Sequence, residues 1–175
     1  AAAKRQADAF LASYGAAFGL QDASAQLSYV ETVVDNYDFT HVVYEQAQDG
    51  VDVYASTMRV HFNKSGQLTA VNGTIIPKIQ ASAQPALTAA QAGTIAVAHV
   101  TGQQAAKTAV DQIAASELAV AENTLYFYHT GLLQSIPGVT VLAYEVEVSN
   151  SADIREFVFV DAQNGSIVEQ FSGIH

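Results

Sequence analysis

The sequence predicts an α+β fold made of two related subdomains, each a curved antiparallel sheet packed on a helix. Three observations carry this expectation. A helical pattern near the N-terminus leads into alternating apolar runs joined by turns containing Asn and Gly. A stretch of Pro and small polar residues then interrupts the chain near its middle. After that break the same order begins again, helix first and strands after it.

The first helix is expected over residues 4–18, where Phe10, Leu11, Tyr14 and Phe18 recur at helical spacing, with Gly19 at its end. The segment "KRQADAFLASYGAAFGL" has two basic residues ahead of an apolar run, as a signal peptide does. Asp8, Tyr14 and Gly15 interrupt it, so it reads as an amphipathic helix, and any signal peptide is expected to lie outside this sequence. Alternation then predicts strands at 27–34, 41–46, 51–62 and 67–76. Asp49-Gly50 and "NKSG" at 63–66 supply hairpin turns, since Gly and Asn tolerate the positive φ that tight turns need.

"PKIQASAQPALTAAQ", with Pro77 and Pro85, marks the break. Thr88 with Gln91 has the form of a capping box opening a second helix, whose Ala92, Ile95, Ala96 and His99 share one face. Gly102 is expected to end or interrupt that helix, and residues 107–114 to form another. Strands follow at 117–121, 124–129, 139–149, 156–161 and 166–171, the last pair turning on Asn164-Gly165. The closing hairpins of the two halves, "VHFNKSGQLTAVNG" and "VFVDAQNGSIVEQFSG", share a pattern. The expected division is an N-terminal subdomain at 1–80, a linker at 81–87, a C-terminal subdomain at 88–171 and a tail at 172–175.

Half of the 175 residues are apolar and 14% are charged, the balance of a globular chain. No apolar run reaches the roughly 18 residues that span a bilayer, so no membrane partner is expected. The absence of cysteine excludes disulfides and thiolate metal sites and leaves the compartment open. The net charge of −10 argues against nucleic acid, because no basic patch is present to neutralise phosphates. Acidic residues outnumber basic ones nine to two over 87–175, against eight to five over 1–86. Such a surface can steer a partner, although solubility is the simpler reading.

No motif in the sequence builds an active site. His41, His61, His99, His129 and His175 form no HExxH and no i,i+4 pair on an expected helix, so no zinc-protease ligand set and no cofactor is expected in the chain itself. GxSxG, the P-loop and GxGxxG are absent. Glu145 and Glu147 share one face of a strand, a solvated face being the plainer reading than acid–base chemistry. Asn63-Lys64-Ser65, Asn72-Gly73-Thr74 and Asn164-Gly165-Ser166 fit the glycosylation pattern, but turn chemistry explains two of the three. Tyr126, Phe127 and Tyr128 are divided between the two faces of a strand, which suggests core on one side and a contact surface on the other.

Residues 41–77, "HVVYEQAQDGVDVYASTMRVHFNKSGQLTAVNGTIIP", resemble the FTP motif of fungalysin and thermolysin propeptides, with Val60 and His61 adjacent where that family has Val-x-His. "ADAFLASYGAAFGL" at 7–20 is similar to the helix that precedes the motif. "LTAAQAGTIAVAH", "VLAYEVEV" and "FVFVDAQNGSIVEQFS" in 87–175 are similar to the PepSY domain that follows it, so the fold is expected to be cystatin-like and PepSY-like.

This resemblance implies a non-catalytic propeptide of a secreted or periplasmic thermolysin- or vibriolysin-like zinc metalloprotease. Its partner would be the catalytic domain of its own protease, which it would help to fold and hold inactive. Ser172, Gly173, Ile174 and His175 would then be the inhibitory tail and cleavage junction, with Ser172-Gly173 flexible and the His175 carboxylate able to approach the partner's zinc. Two alternatives stand beside it: a free-standing secreted FTP/PepSY module that binds proteases in trans, and a small-ligand carrier whose curved sheet encloses an apolar pocket.

Overall fold

Helix α1 (Ala2–Tyr14) forms where apolar residues recur at helical spacing. A 3-10 turn, Gly15–Phe18, continues it, and Gly19 closes the segment in left-handed backbone at φ 89°. The structure is a computed structural model that describes residues 2–105, 117–132, 134, 136–150 and 154–173. The fold class is α+β, with eight strands and few helices among the described residues, and the chain divides into two compact units, Ala1–Gln80 and Ala81–His175.

In the first unit a short helix, α2 (Ala23–Gln26), is an element that the pattern reading does not contain. Four residues are too few for periodicity to register, and the signal is purely local. Asp22 Oδ1 accepts from the N–H groups of Ser24 and Ala25, and Gln26 Oε1 accepts from those of Gln21 and Asp22. Strands β1 (Leu27–Val34), β2 (Thr40–Gln48), β3 (Val51–Phe62) and β4 (Leu68–Gly73) follow as an antiparallel meander paired in chain order. Asp49 and Gly50, both at positive φ, make the β2–β3 turn. In the β3–β4 turn Asn63 Oδ1 accepts from the N–H groups of Ser65 and Gln67.

Alternation along β2 and β3 places Val42, Tyr44, Met58, Val60 and Phe62 on one face, where they form a buried core with Ala7 and Leu11 of α1. One polar contact joins the same elements. Asp8 Oδ1 accepts from the Tyr44 hydroxyl and Asp8 Oδ2 from Lys4 Nζ, each at 2.7 Å. Burial pushes the Asp8 carboxyl up, but the hydrogen bonds from Lys4 and Tyr44 and the Lys4 charge outweigh it and hold the group below its usual range. A carboxyl depressed by folding stabilises above its unfolded value, about 3.9, and that contribution is lost as pH falls through the folded value. Asp8→Asn is therefore expected to lower the urea midpoint at neutral pH and to cost less at about pH 2, below the unfolded value, where the contribution of the depressed carboxyl is being lost. Denaturation followed by far-UV circular dichroism at the two pH values measures this.

The second unit opens with α3 (Ala89–Ala105). The capping box is present: Thr88 N–H donates to Gln91 Oε1 at 2.8 Å and Gln91 N–H donates to Thr88 Oγ1 at 3.3 Å. Ala92, Ala96 and Val100 are fully buried. Gly102 does not end the helix, contrary to expectation. It faces open space, and a glycine in a helix interior costs only about 1 kcal/mol. The expected helix at 107–114 lies outside the described residues.

Two further corrections concern the next strand. The expected strands at 117–121 and 124–129 are one strand, β5 (Ala119–His129), in which a bulge between Val120 and Glu122 absorbs the break in alternation. Phe127 and Tyr128 are both buried, at 0% and 1% exposure, so the two faces are covered there and neither offers a contact surface. Strands β6 (Thr140–Ser149), β7 (Arg155–Asp161) and β8 (Ile167–Ser172) complete an antiparallel order β5-β6-β7-β8, with α3 against β5, β6 and β7. At the β7–β8 turn Asp161 Oδ1 accepts from the N–H groups of Gln163 and Asn164. The end of the 81–87 segment is held to this turn, because Ala86 and Leu87 both donate to Ala162 O at 2.9 Å.

Candidate functional site

The C-terminal strand is the element that delivers the expected tail. β8 extends through Ser172, which stands opposite Glu156 in the β7 ladder. Gly173 N–H adds one more bond, to Arg155 O at 2.7 Å. Ser172 and Gly173 are thus continuous with the sheet, where a flexible departure was expected. Glycine suits this close approach, since a Cβ at 173 would lie 2.7 Å from the Phe157 ring and would force that side chain to shift. Ile174 and His175 lie outside the described residues.

Both faces of this strand are anchored next to the tail. On the face toward α3, Gln170 Oε1 accepts from Gln103 Nε2 at 2.8 Å and lies 2.9 Å from His99 Nε2, while Gln170 Nε2 donates to Glu156 Oε2 at 2.9 Å. On the opposite face Phe171 stacks on Phe157 with ring centres 5.3 Å apart and meets Phe159 at 5.8 Å. The Arg155 guanidinium covers Phe157 at 5.1 Å and donates to Glu147 through Nε at 2.8 Å and Nη2 at 3.2 Å. Those hydrogen bonds hold the Glu147 carboxyl below its usual range, so this residue is ionised and paired with Arg155, in keeping with a structural role. Arg155, Phe157 and Gln170 escape motif reading, although Arg155 is one of only two basic residues in 87–175 and therefore stands out.

The other four histidines fall into three separate places. His99 takes part in the Gln170 network, His129 Nδ1 lies 3.0 Å from Thr140 Oγ1, and His41 faces His61. Among the described residues no group of three or more His, Cys, Asp or Glu is placed to hold a metal ion. Asn63 and Asn164 bond local backbone, Asn164 Oδ1 accepting from Ser166 N–H at 2.8 Å, as turn residues do. In the second unit an open, mainly apolar cleft of about 670 Å³ is bordered by Ala89, Gly93, Val97, Leu118, Val120 and Asn123.

The first unit holds a buried polar clamp that sequence reading missed. Gln46, fully buried in β2, accepts on Oε1 from Ile76 N–H at 2.8 Å and donates from Nε2 to Ile76 O at 2.8 Å. Ser56 Oγ lies 2.9 Å from the same Gln46 oxygen and 2.6 Å from Thr74 O. The clamp fastens the segment after β4 to β2 and β3 and satisfies buried backbone groups that would otherwise lack partners. A glutamine in a strand of mixed polarity gives no sequence signal for such a role; only the fold brings residue 76 to it.

No curated protein sequence matches the chain. Among solved structures the Bacillus megaterium YpeB C-terminal domain aligns with 99% of the chain at 15% identity and a TM-score of 0.42, and the alignment spans 64% of that domain's length. Residues 25–75, which run from the end of α2 past β4 and contain Gln46 and Ser56, match the family model for the Fungalysin/Thermolysin Propeptide Motif.

Proposed function

We propose that this chain is the pro-region of a secreted thermolysin-like zinc metalloprotease, acting on its own catalytic domain as intramolecular chaperone and inhibitor. The observation that carries this reading is the propeptide motif at residues 25–75. In it the second unit is the PepSY-like partner of the first, and residues 172–175 are the junction at which the precursor is cut. The chain performs no catalysis of its own; the zinc belongs to the partner.

The physics of inhibition follows from tethering. A segment joined to the catalytic domain has a high effective concentration at the cleft, and after the cut it remains there as a product. Zinc in such enzymes keeps one coordination position open, which a product carboxylate can take. Anchoring of β8 through Gln170 and Phe171 orders the strand that leads to the junction in advance, so that little further conformational entropy of that strand is lost on binding. Chaperoning follows if the pro-region binds the native surface of the catalytic domain more tightly than an unfolded one.

A chain ending at Phe171 tests the tail directly. Loss of residues 172–175 is expected to weaken inhibition of the cognate catalytic domain about a hundredfold, which corresponds to roughly 3 kcal/mol. Unchanged inhibition by the shortened chain would remove the tail from the mechanism and leave docking of the folded units as the inhibitory contact. A second reading, a small-ligand carrier, is favoured only by the apolar cleft in the second unit, whose volume suits a small molecule. Mass spectrometry of ligands extracted from the purified protein decides it.

A further inference from the structure

Val42 and Tyr44 of β2, with Val60 and Phe62 of β3, face α1, so alternation turns His41 and His61 to the other face of the sheet. The two histidines stand directly opposite one another in the antiparallel register. Their Nδ1 atoms are 2.7 Å apart. Because the ring centres are only 4.8 Å apart, both nitrogens lie near the line joining the rings and point at each other. On the far sides, His41 Nε2 is 3.1 Å from Asp35 Oδ2 and His61 Nε2 is 3.3 Å from Asn72 Oδ1.

A contact of this length between two imidazole nitrogens has room for one hydrogen, since one nitrogen must donate while the other accepts. The Asp35 carboxylate selects the arrangement. His41 donates to it from Nε2, which leaves His41 Nδ1 as the acceptor and His61 Nδ1–H as the donor. We propose that His41 and His61 form a one-proton lock across β2 and β3, closed while a single hydrogen lies between the Nδ1 atoms and forced open when both rings are imidazolium. This holds for either orientation of the Asn72 amide, which changes the charge of the pair but not the single hydrogen between its rings.

Asp35 is the charged group in contact with the pair; along the neighbouring elements the next charged residues are Asp38 in the β1–β2 turn, Glu31 on β1, Arg59 on β3 and Lys64 in the β3–β4 turn, with Glu45 farther along β2, and β4 presents the neutral Ala70 and Asn72. The N–H groups of Phe39 and Tyr37, and then His41, hold the Asp35 carboxyl below its usual range. It therefore stays ionised below the ordinary carboxylate value and remains the acceptor for His41 Nε2 on mild acidification. The lock's contribution to stability is present when the pair holds one shared hydrogen and is lost on acidification.

Imidazole ¹⁵N spectra of the full chain, compared with His61→Gln, test the proposal. At about pH 7.5 a coupling across the Nδ1–Nδ1 hydrogen bond is expected, and it should vanish at an acid pH where both rings are imidazolium. Over the same interval the folding equilibrium constant of the wild type should fall about fivefold further than that of the variant. No coupling at the higher pH, a coupling that survives at the lower one, or parallel stabilities of the two proteins would each overturn it. So would displacement of the shared hydrogen by equimolar ZnCl₂, which would make the pair a metal site. The wild-type spectra decide alone if the variant does not fold.

Discussion

Phe159→Ala is expected to destabilise the second unit by about 4 kcal/mol, the usual scale for removing a fully buried phenylalanine. Phe159 is 0% exposed in the middle of β7. Its ring lies 4.3 Å from that of Tyr128 and 5.8 Å from that of Phe171, which in turn stacks on Phe157. Truncation therefore removes both the transfer free energy of the ring and its aromatic contacts, and it opens a void that neighbouring strands cannot close without breaking their ladders. It also loosens Phe171, one of the two side chains that anchor β8 next to the tail. Urea denaturation measures the first effect. The second should appear as weaker inhibition of the protease at temperatures where the variant is still folded. A loss below about 1 kcal/mol would mean that Phe159 is not a core residue.

Gly73→Ala should cost about 3 kcal/mol, and for a different reason. Gly73 ends β4 opposite Met58, and a Cβ there would lie 2.1 Å from Thr57 O and 2.8 Å from Met58 Cα. Both obstacles are backbone, so no rotamer change relieves them. The strand would have to move away from β3, taking with it the Thr74 N–H bond to Thr57 O and the Gln46 and Ser56 clamp on residues 74–76. Gly50→Ala is the informative control. A Cβ at position 50 would meet no atom within 4 Å, so its cost is limited to positive-φ strain of about 1 kcal/mol. Equal losses at the two positions would remove close packing as the explanation for Gly73.

The strands were largely legible because alternation and turn chemistry point the same way. At 51–62 an apolar run lies between the Asp49-Gly50 turn and the NKSG turn at 63–66, and β3 has those bounds, although its alternation changes phase near Ala55, which stands at positive φ. Thr88 and Gln91 announced α3 for the same reason, two local signals in agreement. Failures came where tertiary context overrides local preference. Ala121 and Glu122 broke the alternation of β5, yet ladder bonds on either side carry the strand through a bulge. Gly102 lay inside a helix because its neighbours at 92, 96 and 100 were already buried.

The candidate site was legible only in outline. The family resemblance drew attention to residues 41–77 and to the tail, but not to the side chains that hold either in place. Gln46 acts through Ile76, thirty positions away, and Arg155 through Glu147 on the neighbouring strand. Sequence spacing alone expresses neither relationship. Nor does it reveal that His41 meets His61, since that contact depends on the register of β2 against β3.

On the proposed function, the chain binds and silences its own protease. Titrating the intact chain into the active, zinc-loaded cognate catalytic domain, while following peptide hydrolysis, tests this most directly. The expected result is inhibition that saturates at one chain per catalytic domain and fades only as the chain is digested. Full hydrolytic activity in the presence of a large excess of intact, folded chain would contradict it.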